Sequence, residues 1–205
     1  MSDPLILKSL AGHEVERQGY VSALAKLRIE VFRDFPYLYD GTYDYEKEYL
    51  KTYTDCPESI IVLVFDGDKV VGASTGLPME AEVEAFRKPF VEHGYDIRSV
   101  FYCGESILLK AYRGRGVYSK FFQAREGHAR ALGRFDWCTF CAVQRPHDHP
   151  RRPTAYLPLD RVWVKYGYVK QPELLTTFTW KDLDEQEESP KDMVFWLKPL
   201  PATTR

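Results

Sequence analysis

The stretch that most constrains this chain is ILLKAYRGRGVYSKFF, Ile107 to Phe122, where a strand-like apolar run passes through Arg113-Gly114-Arg115-Gly116 directly into an amphipathic helix. From Val117 to Leu132 the residues Val117, Phe121, Ala124, Ala131 and Leu132 share one helical face, and Gly133 ends the pattern. The first N–H groups of a helix have no intrahelical partner, glycine lets a ligand approach the main chain, and the helix dipole adds partial positive charge. Such a turn is built to cradle a phosphate or pyrophosphate, with Arg113 and Arg115 charging its rim. It is neither a P-loop, which needs GxxxxGK[ST], nor a dinucleotide fingerprint, which needs three spaced glycines. A plain basic strand-to-helix turn is the competing reading of the same residues.

Around this unit the chain alternates helical and strand signals. Val21, Leu24, Leu27 and Val31 recur every three or four positions and predict a helix ending before Pro36. Six tyrosines between Tyr37 and Tyr53 surround a short charged helix near Tyr45 to Leu50; they suit packing at a helix edge, or else a half-buried lid over a pocket. Ile60–Asp66 and Lys69–Thr75 form two β-branched runs joined at Asp66-Gly67-Asp68, a hairpin signal. A helix over 79–92 with Pro89 inside, a strand over 100–110, a strand at Trp137–Val143, a short helix near Leu159–Tyr166 and strands near Leu175–Trp180 and Met193–Lys198 follow. The DLDEQEESPKD segment between the last two strands reads as a solvated hairpin loop. His128 shares the apolar face of the Val117 helix and reads as a core histidine. The order predicts an α+β class for a single domain spanning 1–205.

Composition narrows the function. With 28 Lys+Arg against 30 Asp+Glu and no long basic run, the electrostatic footprint of a nucleic-acid binder is missing. The longest apolar run, Ile60 to Phe65, is far short of the roughly 18 residues a bilayer-spanning helix needs, and the N-terminus has no basic region before an apolar stretch, so neither a membrane nor a secretory destination is expected. Four cysteines without a secretory leader point to free thiols and a cytoplasmic setting. Cys138 and Cys141 form C-x-x-C within a strand, where residues three apart face opposite sides, so buried thiols are favoured over a metal or redox pair. His147 and His149 lack a third ligand, and no metal is expected.

YRGRGVYSKFF resembles motif A of the GNAT superfamily, the acyl-CoA-dependent N-acetyltransferases, whose pattern is R/Q-x-x-G-x-G/A; Arg113 and Gly116 fill its first and fourth positions. The element order from residue 20 to about 180 resembles the family core, and RVWVKYGY, Arg161 to Tyr168, resembles its late helix. The resemblance implies a mostly antiparallel central sheet with two splayed parallel strands, flanked by helices, and acetyl-CoA as cofactor. Ile107, Leu108 and Leu109 would then pair with its pantetheine arm, while Arg113 and Gly114 lead into the amides of Arg115, Gly116, Val117 and Tyr118 on the pyrophosphate. It further implies a small-molecule or peptide amine as acceptor, attacked directly in a ternary complex, and allows a homodimer.

Two positions depart from the family pattern. Tyr118 stands where Gly or Ala is usual, so its side chain must turn away from the phosphates or reshape the loop. Trp163 aligns with the tyrosine that many members use to protonate the departing thiolate, which directs attention to Tyr156, in the loop before the late helix, ahead of Tyr166 and Tyr168. For the base, strand alternation puts Glu105 on one face with Cys103 and Ile107; desolvation there would raise a glutamate from about 4.3 toward neutrality, the range amine deprotonation requires. The alternative is a structural ion pair between Glu105 and a neighbouring cation. In the proline-stiffened loop QRPHDHPRRPTAYLPL, Arg145, Arg151 and Arg152 either bind an anionic group of the substrate or meet solvent and local acids. A non-catalytic acyl-CoA-binding module, or an interaction protein using the tyrosines and the Arg/His loop, are the rival functions.

Overall fold

A computed structural model describes residues 4–201. The elements are β1 (Ile6–Leu10), α1 (Gly12–Arg17), α2 (Val21–Phe32), α3 (Tyr43–Thr54), β2 (Ile60–Asp66), β3 (Lys69–Pro78), α4 (Glu84–Glu92), β4 (Val100–Tyr102), β5 (Ser106–Leu108), α5 (Val117–Leu132), β6 (Trp137–Val143), α6 (Asp160–Lys165), β7 (Val169–Trp180) and β8 (Ser189–Pro199). One sheet takes them in the order β1-β2-β3-β4-β6-β8-β7, with β5 also paired to β3. Every pairing is antiparallel except β4 with β6.

The central strands are apolar because helices cover both faces. All of Ile60–Phe65 on β2 is buried, as are Val71, Ala73 and Leu77 on β3. Leu24 and Leu27 of α2 and Leu50 and Tyr53 of α3 join the same core, as do Val117, Phe121, Phe122 and Ala129 of α5. The core therefore sits on the middle of the sheet, and the sheet's two halves are free to diverge beside it.

Several expectations change. The strand over 100–110 is two strands, broken at Cys103-Gly104-Glu105. The helix over 79–92 begins only at Glu84, after a tight turn at Met79–Ala81, and runs through Pro89 to Glu92. The charged helix near residue 45 extends to Thr54, capped by the Thr42 hydroxyl. β1 and α1 carry no periodic signal; β1 is an edge strand that borrows its register from β2. The 182–192 segment is not simply solvated. Asp182 and Lys191 are buried there, and the Lys191 ammonium reaches Asp182 at 3.6 Å and Glu185 at 2.7 Å.

Candidate functional site

The site begins where the sheet opens. β4 and β6 pair through Val100–Tyr102 and Trp137–Thr139, and the Cys103 amide donating to the Thr139 carbonyl at 2.7 Å is the last rung. Beyond it β5 stays with β3, while β6 continues with β8 as far as Val143 opposite Met193. Among the described residues β5 and β6 share no ladder, so a wedge opens between them. Gly104 makes the break: a Cβ there would lie 1.9 Å from the Tyr53 hydroxyl and 2.6 Å from that of Thr75, a space only glycine fits.

Antiparallel alternation decides which backbone groups face the wedge. The Glu105 carbonyl accepts from Thr75 N–H at 3.1 Å and the Leu109 N–H donates to Val71 at 2.9 Å, so the odd-numbered residues bond to β3. The intervening Ser106 and Leu108 turn their backbone groups the other way, into the wedge. The Leu108 carbonyl takes a hydrogen bond from Arg113 Nε at 3.1 Å. Within the Ile107–Leu109 run, Ile107 and Leu109 therefore contribute side chains and β3 bonds, and Leu108 contributes backbone to the opening.

At the mouth of the wedge stands the glycine turn. Gly114 and Gly116 have φ of +77° and +75°, and nothing lies within 4 Å of where a Cβ would be on either. Gly116 caps α5, no side chain bonds its free N–H groups, and no acidic residue occupies its first turn. Arg113 reaches Asp34 at 3.5 Å, and Arg115 lies over the Tyr112 ring at 5.2 Å while donating to the Ala111 carbonyl. Open space above positive-φ glycines, beside N–H groups of a helix that nothing caps, fits a pyrophosphate held by main chain.

Tyr118 turns away from this turn. Its hydroxyl accepts a 2.9 Å hydrogen bond from the Trp163 indole on α6, and its ring meets Phe122 and Tyr166 edge-on. Trp163 in turn packs against Phe140 of β6 and Trp196 of β8, each at 5.0 Å between centroids. The pair therefore bridges α5, which follows β5, and β6, across the wedge. Burial pushes the Tyr118 phenol up, and the indole N–H pulls it part of the way back.

Against the other end of the wedge lies a buried polar cluster. The Arg28 guanidinium contacts Glu105 at 2.5 Å and also bonds Glu46, and its cation rests over the Tyr49 ring at 4.2 Å. The Glu105 carboxylate thus forms a structural ion pair and still keeps one oxygen, Oε1, without a hydrogen-bond partner. Its carbonyl also accepts from Ser74 and from Arg125 NH1, both at 2.9 Å. The Tyr49 and Tyr53 hydroxyls are 3.3 Å apart, and burial pushes the nearby Glu82 carboxyl, whose Oε1 has no hydrogen-bond partner, up to about 7. Arg28 and Glu82 carried no motif. The signal for Arg28 was a charged residue on the apolar face of α2, four residues after Leu24.

The remaining named residues lie elsewhere. Tyr156 packs edge-on against Phe35 at 4.7 Å under the Arg152 guanidinium, and among the described residues no hydrogen bond or ring contact joins it to Glu105, Tyr118 or Trp163. The Tyr166 ring stacks on Phe122 at 4.4 Å, and the Tyr168 hydroxyl donates to Glu126 at 3.3 Å. Arg145 is not available to a substrate: it donates to the Pro36 and Tyr37 carbonyls at 2.8 Å and pairs with Asp182 at 2.7 Å. Cys138 and Cys141 are free, buried thiols; the Tyr102 hydroxyl lies 3.1 Å from the Cys141 sulphur. His128 bonds the Glu58 carbonyl at 2.9 Å. No helix among the described residues is long and apolar enough to cross a membrane, and none of their His, Cys, Asp and Glu side chains form a metal-holding group.

A sheet opened between parallel strands, with a glycine-led helix at the opening, defines the fold of the GNAT acetyltransferases. Solved structures of that kind superpose on nearly the whole chain. A Streptococcus pneumoniae acetyltransferase of the GNAT family matches at 13% identity and a TM-score of 0.55, covering 96% of this chain and 99% of its own. Arabidopsis thaliana NAA60, solved with a bisubstrate analogue, matches at 11% identity and 0.61, covering 98% and 100%. A candidate acetyltransferase, yncA of Salmonella typhimurium, solved with its cofactor acetyl-CoA, matches at 9% identity and 0.58, covering 99% and 98%. At these identities the likeness is one of fold. No protein-family model matches the sequence, and no curated protein matches it significantly.

Proposed function

We propose that this protein is an N-acetyltransferase that moves an acetyl group from acetyl-CoA to a primary amine by direct attack in a ternary complex. One observation carries the reading: the backbone of Ser106 and Leu108, turned away from β3, lines an opening that leads to the glycine turn and the uncapped N-terminus of α5. The neighbours solved with acetyl-CoA and with a bisubstrate analogue support the choice of ligand. Acetyl-CoA, when bound, supplies the acetyl group as an activated thioester. The N–H groups from Arg115 to Tyr118 hold the pyrophosphate, and the Leu108 N–H polarises the carbonyl under attack.

On the acceptor side, Glu46 and Glu105 contact the Arg28 guanidinium, Arg125 donates to the Glu105 carbonyl and Glu82 lies close by; each of the three carboxyls keeps one oxygen, Oε1, without a hydrogen-bond partner, which suits the N–H groups of an amine. Glu105 takes the amine proton through Oε1, directly or by a water. A second reading gives that role to Glu82, because a buried carboxyl near 7 is matched to neutral pH and its Oε1 has no hydrogen-bond partner. Glu105→Gln and Glu82→Gln separate the two: the true base loses about 100-fold or more in kcat, the range typical of general-base removal.

The test is titration calorimetry with acetyl-CoA, followed by free-thiol detection over a lysine peptide, an N-terminal peptide and spermidine. Binding with thiol release on an amine supports the reading. Binding without turnover on any amine leaves an acyl-CoA-binding module, and no binding refutes the reading and leaves the interaction protein.

A further inference from the structure

We infer that Tyr118, held by the Trp163 indole across the opening of the sheet, is the group that hydrogen-bonds and protonates the sulphur of coenzyme A. The inference rests on the acetyl-CoA reading above and names a residue for its second half-step, in which the thiolate leaves. The indole N–H can only donate, so the 2.9 Å bond fixes the Tyr118 oxygen as acceptor. The phenol's own proton must then point elsewhere, and among the described residues it meets no acceptor. It is a neutral acid with a free proton, and its conjugate base is met in advance by a donor.

Position supports the role. Trp163 is anchored by Phe140 on one side of the opening, and Tyr118 springs from the helix that follows the other side. The hydroxyl lies within electrostatic reach of Arg125, whose guanidinium bonds the Glu105 carbonyl at the strand break, and of Tyr37 from the α2–α3 connection. The other tyrosines of this region are differently committed. Tyr168 is fully buried and gives its proton to Glu126, Tyr166 is stacked on Phe122, and Tyr156 sits over Phe35 in the loop.

The step balances without a further reactant. Tyr118 gives its proton to the sulphur as the C–N bond forms and the C–S electron pair moves onto sulphur. The nucleophile is the neutral amine, its first proton already taken by Glu105; the second N–H proton, lost as the C–N bond forms, returns to the phenolate, which the Trp163 N–H stabilises meanwhile, and the first leaves Glu105 to solvent. Trp163 is a positioning residue in this arrangement.

The experiment titrates wild type, Tyr118→Phe and Trp163→Phe with coenzyme A and with acetyl-CoA at pH 8.5, where a thiol is partly ionised. A hydrogen bond to a charged sulphur is made by coenzyme A alone. Tyr118→Phe is expected to weaken coenzyme A by about 10-fold or more, leaving acetyl-CoA within about twofold. Trp163→Phe should move the same ratio in the same direction by less, and it carries the test if Tyr118→Phe does not fold. A coenzyme A to acetyl-CoA ratio unchanged by either substitution overturns the inference while the acetyl-CoA reading stands. Binding of neither ligand by the wild type removes both.

Discussion

The cradle is best tested by placing the same side chain at both ends of α5. Gly116 and Gly133 flank the helix with φ of +75° and +73°, and neither has any atom within 4 Å of where a Cβ would be. Gly116→Glu and Gly133→Glu therefore incur the same left-handed backbone strain, about 1–2 kcal/mol, with no steric cost. The helix dipole then separates them. A carboxylate gains about 0.3–1 kcal/mol at the N-terminus and loses as much at the C-terminus. Gly116→Glu should be the more stable variant by about 1 kcal/mol, seen as a melting temperature higher by about 2–4 °C in a chain of this size. Ligand affinity should run the opposite way. A unit charge about 5 Å from a pyrophosphate costs about 1–3 kcal/mol for effective dielectric constants between 80 and 20, or roughly 5- to 150-fold in Kd. Gly133→Glu, at the far end of a 16-residue helix, should bind acetyl-CoA as the wild type does. Thermal melts and calorimetry on the same preparations measure both orders. Equal affinity in the two variants would show that α5 does not carry the phosphate site.

Two further outcomes follow from the buried cluster. Glu82 ionises near 7 in the folded chain and near 4.5 when unfolded, because burial opposes its charge. The native state thus holds more protons than the unfolded one between those values, and stability falls as pH rises through that window. Urea midpoints should show a loss on the order of 3 kcal/mol from pH 4.5 to 8 that Glu82→Gln abolishes; parallel pH curves for the two proteins would contradict this. Arg28→Met leaves Glu46 and Glu105 buried without their cation and should cost about 3–5 kcal/mol at pH 7 by the same assay, where a loss under about 1 kcal/mol would mean the pair is not buried in solution.

The opening turn, the helix after it and the β2–β3 hairpin are legible in the sequence because each is specified within a few residues. Glycine at positive φ, an apolar stripe at helical spacing and a Gly67 turn act locally, and the Arg113–Gly116 pattern by itself is enough to place the glycine turn. The run from Val100 to Lys110 shows the limit. It reads as one apolar strand, and the packing of Tyr53 against Gly104 breaks it in two and aims Leu108 at the opening. Glu105 was visible as a carboxylate on an apolar strand. That its counter-ion is Arg28, and that the buried Glu82 lies beside it, depends on helices meeting a sheet across long sequence separations. The same holds for Tyr118. Sequence requires its ring to leave the phosphate turn or to reshape it; which happens is decided by Trp163, from a helix 45 residues away, which receives the hydroxyl. Local chemistry sets the elements and the cradle; which polar groups face one another is decided only when the sheet brings distant elements together, since hydrogen bonds and ion pairs depend on distances that no local pattern encodes.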